Sequence, residues 1–226
     1  MTRLSYVHGA SDTPFIGDTI GVHFDGIAER FAERDALIVR HQQVRWTYRE
    51  LKEQVDAFAG GLLALGLKRG DRVGVWSPNN AEWVIAQFAT AKAGLILVNI
   101  NPAYRLAELE YALNKAGCVA LITTTQFKTS NYLGMLGELA PELACASPGN
   151  LHAARLPELR LVIAIVPMPP TVRFGSLMFA ISPVIPSGIG SRHLPKSCNS
   201  TTRSTSSSPA ARPASLRAPR SATTIF

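Results

Sequence analysis

Short apolar runs alternate with amphipathic segments through residues 1–165 of the chain. The runs have the length of strands, and the segments between them repeat apolar residues every three or four positions, as helices do. Strands and helices that alternate with short connections predict an α/β fold, with mainly parallel strands and crossover helices. The predicted strands cover residues 36–40, 43–46, 72–76, 95–100, 119–123 and 159–165.

The clearest helix signal begins at Thr47, where the sequence Thr-Tyr-Arg-Glu matches a capping box. In this motif the Thr47 hydroxyl accepts a hydrogen bond from the Glu50 amide, and the Glu50 carboxylate accepts one from the Thr47 amide. Gly66 and the basic residues 68–69 with Gly70 indicate where the helix ends. Apolar residues at alternating spacings of four and three predict its buried face, which comprises Leu51, Val55, Phe58, Leu62 and Leu65.

Three more helices are predicted further along the chain. Residues 77–80 (SPNN) form a turn and cap cluster before a helix that ends at Gly94. A second helix covers residues 105–116 and ends at Gly117, and residues 126–143 are expected to form a third. The predicted buried residues are Trp83, Val84 and Phe88 in the first of these helices, and Leu106, Leu109 and Leu113 in the second.

The charge of the chain is unevenly distributed. The net charge is +7, yet residues 166–226 contain seven Lys and Arg and no Asp or Glu, so residues 1–165 have 16 basic and 16 acidic residues. The chain therefore divides into residues 1–165, a folded α/β part, and residues 166–226, a basic tail rich in Ser, Pro, Ala and Arg that is expected to be disordered. No segment approaches the roughly 20 uninterrupted apolar residues of a membrane span, so a soluble, cytoplasmic protein is expected.

Candidate catalytic chemistry is sparse. Glu108 and Glu110 resemble a carboxylate pair, but residues two apart on a helix point in different directions, which favours two solvated faces. The chain contains neither the dinucleotide-binding motif GxGxxG after a strand nor the phosphate-binding motif GxxxxGK[ST]. Its three cysteines lack a CxxC pair and are expected to be reduced. We therefore assign no catalytic, cofactor-binding or metal-binding residue. The histidines are far apart without ligand partners, which favours structural or surface roles for His8, His23, His41 and His152.

Five segments resemble the adenylate-forming enzymes, also called AMP-binding enzymes. Residues 46–51 (WTYREL) and 67–75 (LKRGDRVGV) are similar to the first conserved block of that family. Residues 79–83 (NNAEW) and 91–102 (AKAGLILVNINP) are similar to its second block. Residues 101–111 (NPAYRLAELEY) resemble the medium- or long-chain fatty acyl-CoA synthetases. The chain is accordingly identified as an N-terminal fragment of a fatty acyl-CoA synthetase, with an incomplete N-terminal α/β subdomain.

The resemblance implies a reaction and its participants. Such enzymes activate a fatty acid with ATP and Mg to an acyl-adenylate, release pyrophosphate, and transfer the acyl group to coenzyme A. Their phosphate-binding loop, adenine site, ribose-binding Asp, hinge and C-terminal lysine lie beyond the matching blocks. The resemblance therefore implies that the matching residues are mainly scaffold, that no cofactor binds this fragment, and that the fragment is inactive.

Residues 166–226 can be interpreted as the same gene translated in a shifted frame. Residues 208–214 (SPAARPA) can be spelled by codons that read FTSGTTG one base earlier. Residues 215–226 then permit an apolar residue followed by PKGATLSHHNI. TSGTTGxPKG is the phosphate-binding signature of the family that the chain resembles. The interpretation predicts a frameshift near residues 165–172.

Two alternatives remain open at the level of sequence. The gene itself could be intact and encode an active enzyme, with the frameshift arising from a sequencing error. The chain could instead be a non-catalytic α/β binding module whose basic tail contacts nucleic acid or anionic lipid, in which case binding should weaken with salt. The frameshift explains the basic charge without a ligand, so nucleic acid is not expected as a partner.

Overall fold

The computed structural model describes residues 9, 12–13, 15–147, 149–166 and 179–180. The helices are α1 (Ile20–Arg30), α2 (Tyr48–Ala64), α3 (Ala81–Ala93), α4 (Leu106–Ala116) and α5 (Tyr132–Leu139). The strands are β1 (Asp35–Val39), β2 (Val44–Thr47), β3 (Arg72–Trp76), β4 (Ile96–Ile100), β5 (Cys118–Thr124), β6 (Gln126–Phe127), β7 (Ser130–Asn131), β8 (Leu161–Ile165) and β9 (Phe179–Ala180). Short 3-10 turns cover Arg40–Gln42 and Pro141–Ala144.

A five-stranded sheet forms the centre of the fold, with the strand order β4-β3-β5-β8-β9. The first four strands are parallel, which confirms the predicted α/β fold with mainly parallel strands. Strand β9 pairs antiparallel with β8 and falls within 166–226. The other residues of 166–226, apart from Val166, lie outside the described residues. The predicted disorder of the tail falls on those residues.

Two apolar cores cover the two faces of the sheet. On one face, helices α1, α2 and α3 pack against side chains that include Val73, Val75 and Ile122. On the other face, α4 and α5 pack against Trp76 and Leu121. Successive strand residues point to opposite faces, so one strand supplies both cores. This arrangement explains why β3, β5 and β8 are apolar runs without alternation.

The capping box at the start of α2 is confirmed. The Glu50 amide donates to Thr47 Oγ1 at 3.3 Å, and the Thr47 amide donates to Glu50 Oε2 at 2.8 Å. Of the predicted face, Leu65 is half-buried and the other four residues are buried: Leu51, Val55, Phe58 and Leu62. Full burial of a leucine contributes about 1.5–3 kcal/mol, so this helix is fixed by its packing as well as by its cap.

Helix α3 buries a different face from the one predicted. Trp83, Val84 and Phe88 are half-buried, whereas its fully buried apolar side chains are Ala81, Ile85, Ala86 and Ala89. Helix α3 is apolar on several sides, so apolar spacing alone does not identify the side against the sheet.

Two other parts of the fold differ from the sequence predictions. Helix α1 was not predicted, although Thr19 caps it by accepting from the Val22 amide at 3.3 Å. The helix predicted over 126–143 is wrong in its first part, because β6 and β7 form a hairpin there. Lys128 between them has φ of 53°, a left-handed conformation that interrupts a helix.

The described cysteines have different states. Cys118 is free and buried at the start of β5. Cys145 is disulfide-bonded, so the prediction that all three cysteines are reduced is wrong for this residue. Spacing along the chain does not decide which thiols meet in space.

Candidate functional site

The carboxyl ends of the parallel strands meet at one edge of the sheet, which we call the carboxyl edge. Strand β3 lies between β4 and β5, and the helices that follow β3 and β5 lie on opposite faces. Open α/β sheets bind ligands in the crevice outside such a point, where the direction of strand addition reverses. The residues at or just beyond the ends of these two strands are Trp76, Ser77, Thr123 and Thr124.

The hydroxyl groups of Ser77 and Thr123 at the carboxyl edge are buried and already hydrogen-bonded. Thr123 Oγ1 donates to the carbonyl of Trp76 at 3.1 Å. Ser77 Oγ donates to the carbonyl of Pro78 at 3.0 Å and accepts from Asn80 Nδ2 at 2.8 Å. A nucleophilic hydroxyl needs an adjacent general base, whereas these bond to backbone and amide groups. The hydroxyls therefore fix the backbone of the edge.

Two aromatic side chains hold the loop that follows β4. Trp76 Nε1 donates to the carbonyl of Asn101 at 3.2 Å, and Tyr132 Oη donates to the carbonyl of Pro102 at 2.6 Å. Within the loop, Asn101 Oδ1 accepts from the Ala103 amide at 2.9 Å. Burial raises the pKa of Tyr132, against the opposing charge of Arg105, so the phenol remains a donor at neutral pH. The loop is thus held at the carboxyl edge by side chains from two other elements.

The N-terminus of α3 is held by a glutamine from the turn between β1 and β2. Gln42 Oε1 accepts from the Ala81 amide at 2.7 Å, and Gln42 Nε2 donates to Glu82 Oε2 at 2.8 Å. Glu82 is only 5% exposed. A buried carboxylate without partners is costly, so Gln42 stabilises both the helix end and this charge. Sequence reasoning missed this contact, since nothing local links residues 40 positions apart.

The described histidines that the sequence offered as candidate site residues do not form a common site. His23 and His41 are exposed, His152 lies 3.1 Å from Asn150 Oδ1, and His8 lies outside the described residues. Within the described part of the chain, no group of three or more His, Cys, Asp or Glu side chains could hold a metal ion. Over the same residues, no helix is long and apolar enough to cross a membrane.

Glu108 and Glu110 serve separate contacts. Glu108 Oε2 accepts from the Arg105 amide at 3.1 Å at the start of α4. Glu110 forms a two-point ion pair with Arg155, which lowers the pKa of Glu110. The two carboxylates on α4 therefore have different partners.

The residues of the carboxyl edge could have been found from the strand predictions. Ser77, Asn101 and Thr124 each lie at or just after the end of a predicted parallel strand, where ligand-binding residues of α/β proteins occur. The pairing of Trp76 with Tyr132 had no such signal, because it joins distant segments.

Comparisons with known proteins agree on a family. The AMP-binding enzyme family matches residues 24–165. The medium-chain acyl-CoA ligase ACSF2, mitochondrial, from Mus musculus is 45% identical over 178 residues, which are 78% of this chain and 29% of that protein. The chain thus spans less than a third of the length of this relative.

Solved structures share the fold. The anthranilate CoA ligase AuaEII, in complex with anthranoyl-AMP, has a TM-score of 0.55 and 23% identity, over 70% of this chain and 27% of that one. The N-terminal domain of FACL13 from Mycobacterium tuberculosis has a TM-score of 0.55 and 21% identity, over 72% of this chain and 40% of that one. The chain belongs to the AMP-binding enzyme family, and its α/β part has the fold of part of the N-terminal subdomain of adenylate-forming enzymes.

Proposed function

We propose that the chain is the N-terminal part of a fatty acyl-CoA ligase that forms AMP. The observation that carries this proposal is the match to the AMP-binding enzyme family over residues 24–165, together with 45% identity to a protein named medium-chain acyl-CoA ligase. The intact ligase joins the carboxylate of a fatty acid to the α-phosphate of ATP and releases pyrophosphate. The thiol of coenzyme A then attacks the acyl carbon and releases AMP.

The contribution of the described residues to this reaction is a rigid framework. Buried Ser77 and Thr123 fix the ends of β3 and β5, and Trp76 and Tyr132 fix the loop after β4. Phosphate binding in the intact ligase belongs to a glycine-rich loop with a lysine, whose backbone amides converge on the anion. We propose that ATP, Mg and coenzyme A do not bind this chain productively, because that loop is not encoded in the frame that is translated.

The proposed frameshift is supported by two independent features of the chain. The tail that follows Ile165 has no acidic residue, and its amino-acid sequence can be encoded by codons that spell the TSGTTGxPKG signature one base earlier. Sequencing the gene across the codons for residues 165–172 tests this directly. We expect that one inserted or deleted base restores the signature, and a gene that contains no such position would contradict the frameshift.

Inactivity of the chain is tested by ATP–pyrophosphate exchange with a medium-chain fatty acid. We expect no exchange above background for the 226-residue chain. The matched control is the longer protein expressed from the frame-restored gene, for which we expect exchange. Exchange by the purified chain would refute its inactivity, whereas a frame-restored protein without exchange for any fatty acid would refute the ligase assignment.

A further inference from the structure

Helix α1 packs on α2 and α3 through a small apolar face. Its buried residues are Gly21, Phe24 and Ala28, of which Phe24 alone has a large side chain. The ring of Phe24 stacks on Phe88 of α3, with the ring centroids 4.3 Å apart. Helix α2 instead buries several large apolar side chains. Because hydrophobic stabilisation scales with the apolar area removed from water, apolar contacts hold α1 less firmly than they hold α2.

The packing between α1 and its neighbours also leaves a cavity of about 410 Å³. Helix α1 lines this cavity with Ile20, Phe24 and Ile27, and the opposite side includes Leu51 of α2 and Phe88 of α3. Among the described residues, side chains that face the cavity lack contact partners on that side, which reduces their dispersion energy. The cavity therefore weakens the docking of α1 further.

A ring of four charged side chains joins the three helices. Asp25 of α1 lies 2.6 Å from Lys92 Nζ of α3 and 2.9 Å from Lys52 Nζ of α2. Asp56 of α2 pairs with the same two lysines. The lysine side chains are only 17% exposed for Lys92 and 28% exposed for Lys52, so solvent screens these pairs less than it screens fully exposed ones. Asp25 is the member of this ring that belongs to α1.

The C-terminal end of α1 is anchored independently of this ring. The Tyr48 amide donates to the carbonyl of Arg34 at 2.9 Å, and the Arg49 amide donates to the carbonyl of Ala32 at 3.1 Å. These bonds join the turn after α1 to the first turn of α2, which its capping box fixes. A helix that is anchored at one end and weakly packed along its length can open as a unit about that end.

We propose that α1 is a latch that opens as a unit while α2, α3 and the central sheet remain folded, and that its ion pairs keep it closed. Opening separates Phe24 from Phe88 and Asp25 from its two lysines, and it gives apolar molecules access to the cavity. Dissolved ions screen the ring, so the open population should rise with the concentration of sodium chloride. The stacked rings have no charge to screen, so this response identifies the ring as the element that holds α1.

The first test is thiol labelling of Ala28→Cys in the complete 226-residue chain. Ala28 is buried on α1 and the native Cys118 is buried in β5, so two thiols in one molecule report on the latch and on the sheet. Each rate is divided by the rate in the urea-unfolded chain, which removes differences in thiol reactivity. We expect the introduced thiol to react at least about tenfold faster than Cys118, with a weaker dependence on urea, because a local opening exposes less surface than global unfolding. Equal rates with equal urea dependence would overturn the proposal.

The second test removes the charge of the latch. Asp25→Asn, added to Ala28→Cys, should raise the labelling rate of the introduced thiol by about fivefold and remove most of its increase with sodium chloride. The matched control is Asp35→Asn, which breaks an exposed pair with Arg45 outside α1 and should leave that rate nearly unchanged. Equal effects of the two substitutions, or an unchanged salt response in Asp25→Asn, would refute the role of the ring.

Hydrogen exchange of the unmodified chain tests the latch without any variant. Amides of α1 should exchange through an opening with a weak dependence on urea, whereas amides of β3 and β5 should show the steep dependence of global unfolding. If the α1 and β5 amides share one dependence on urea, α1 opens only when the whole fold unfolds, and the proposal is wrong.

Discussion

The indole ring of Trp76 lies flat on the phenol ring of Tyr132, with centroids 3.9 Å apart and an angle of 7° between the planes. Trp76 is the last residue of β3, and Tyr132 is the first residue of α5. Each ring also donates one hydrogen bond to the loop after β4. The stack therefore joins three segments of the chain at the carboxyl edge, and its hydrogen bonds can be removed one at a time.

Tyr132→Phe should destabilise the fold while keeping the stacked ring. The substitution removes only the hydroxyl that donates to the Pro102 carbonyl at 2.6 Å, and it leaves that carbonyl without this donor. We expect a loss of about 1–2 kcal/mol in the free energy of unfolding, measured by urea denaturation. Tyr111→Phe is the control, because Tyr111 is 67% exposed and its change should be near zero. Equal effects would mean that the Tyr132 hydroxyl does not stabilise the loop.

Local signals explain which elements could be predicted from the sequence. The cap at Thr47 and the face from Leu51 to Leu62 depend on residues within one helix, and both were predicted. Helix α1 was missed because its buried face consists of Gly21, Phe24 and Ala28, of which only the phenylalanine is a strong apolar signal. The spacing of such small residues carries little information about burial.

The contacts of the candidate site depend instead on tertiary structure. The bond between Gln42 and Glu82 joins two elements 40 residues apart, and the Trp76–Tyr132 stack joins β3 to α5. Strand order decides which of these residues meet, and apolar periodicity does not specify it. The positions of Ser77 and Thr123 at strand ends were accessible from the sequence, whereas the hydrogen bonds of their hydroxyl groups were not.

The free energy of unfolding should fall in acid, because Asp25 forms ion pairs with Lys52 and Lys92 that are lost when Asp25 is protonated. Burial alone raises the pKa of Asp25, but Lys92 at 2.6 Å and Lys52 at 2.9 Å lower it overall. A carboxyl group with a lowered pKa in the folded state stabilises the fold above its unfolded pKa of about 3.9, and this contribution is lost as pH falls through the folded pKa. Asp25→Asn should therefore cost on the order of 1 kcal/mol at pH 7 and less at pH 3.

Chemical denaturation at both pH values measures the Asp25 effect. Asp35→Asn is the control, because Asp35 pairs with Arg45 at the surface and such exposed pairs contribute little. A cost of Asp25→Asn that is the same at both pH values would show that the ion pairs do not produce the pH dependence.

Cys118 should resist thiol reagents while the chain is folded. Burial raises the pKa of its thiol to about 11, although the charge of Arg72 acts in the opposite direction. The reactive species is the thiolate, so little of it is present at pH 8, and the buried sulfur is also inaccessible. We expect iodoacetamide to modify Cys118 only after denaturation, as read by peptide mass spectrometry with and without urea. Rapid modification of the native protein would contradict the burial of β5.

Gly74→Ala should destabilise the sheet, whereas Gly60→Ala should not. A Cβ at Gly74 would lie 3.0 Å from Ile100 Cδ1 and 3.1 Å from Leu121 Cδ1, both in the core beneath α4. Overpacking of this kind costs about 1–3 kcal/mol. A Cβ at Gly60 meets no atom within 4 Å, and alanine favours α2 by roughly 0.5–1 kcal/mol over glycine. Urea denaturation should therefore shift in opposite directions for the two variants. A neutral or stabilising Gly74→Ala would mean that the Cδ1 methyl groups of Ile100 and Leu121 can shift to admit the new Cβ, so that Gly74 does not fix the packing on that face of the sheet.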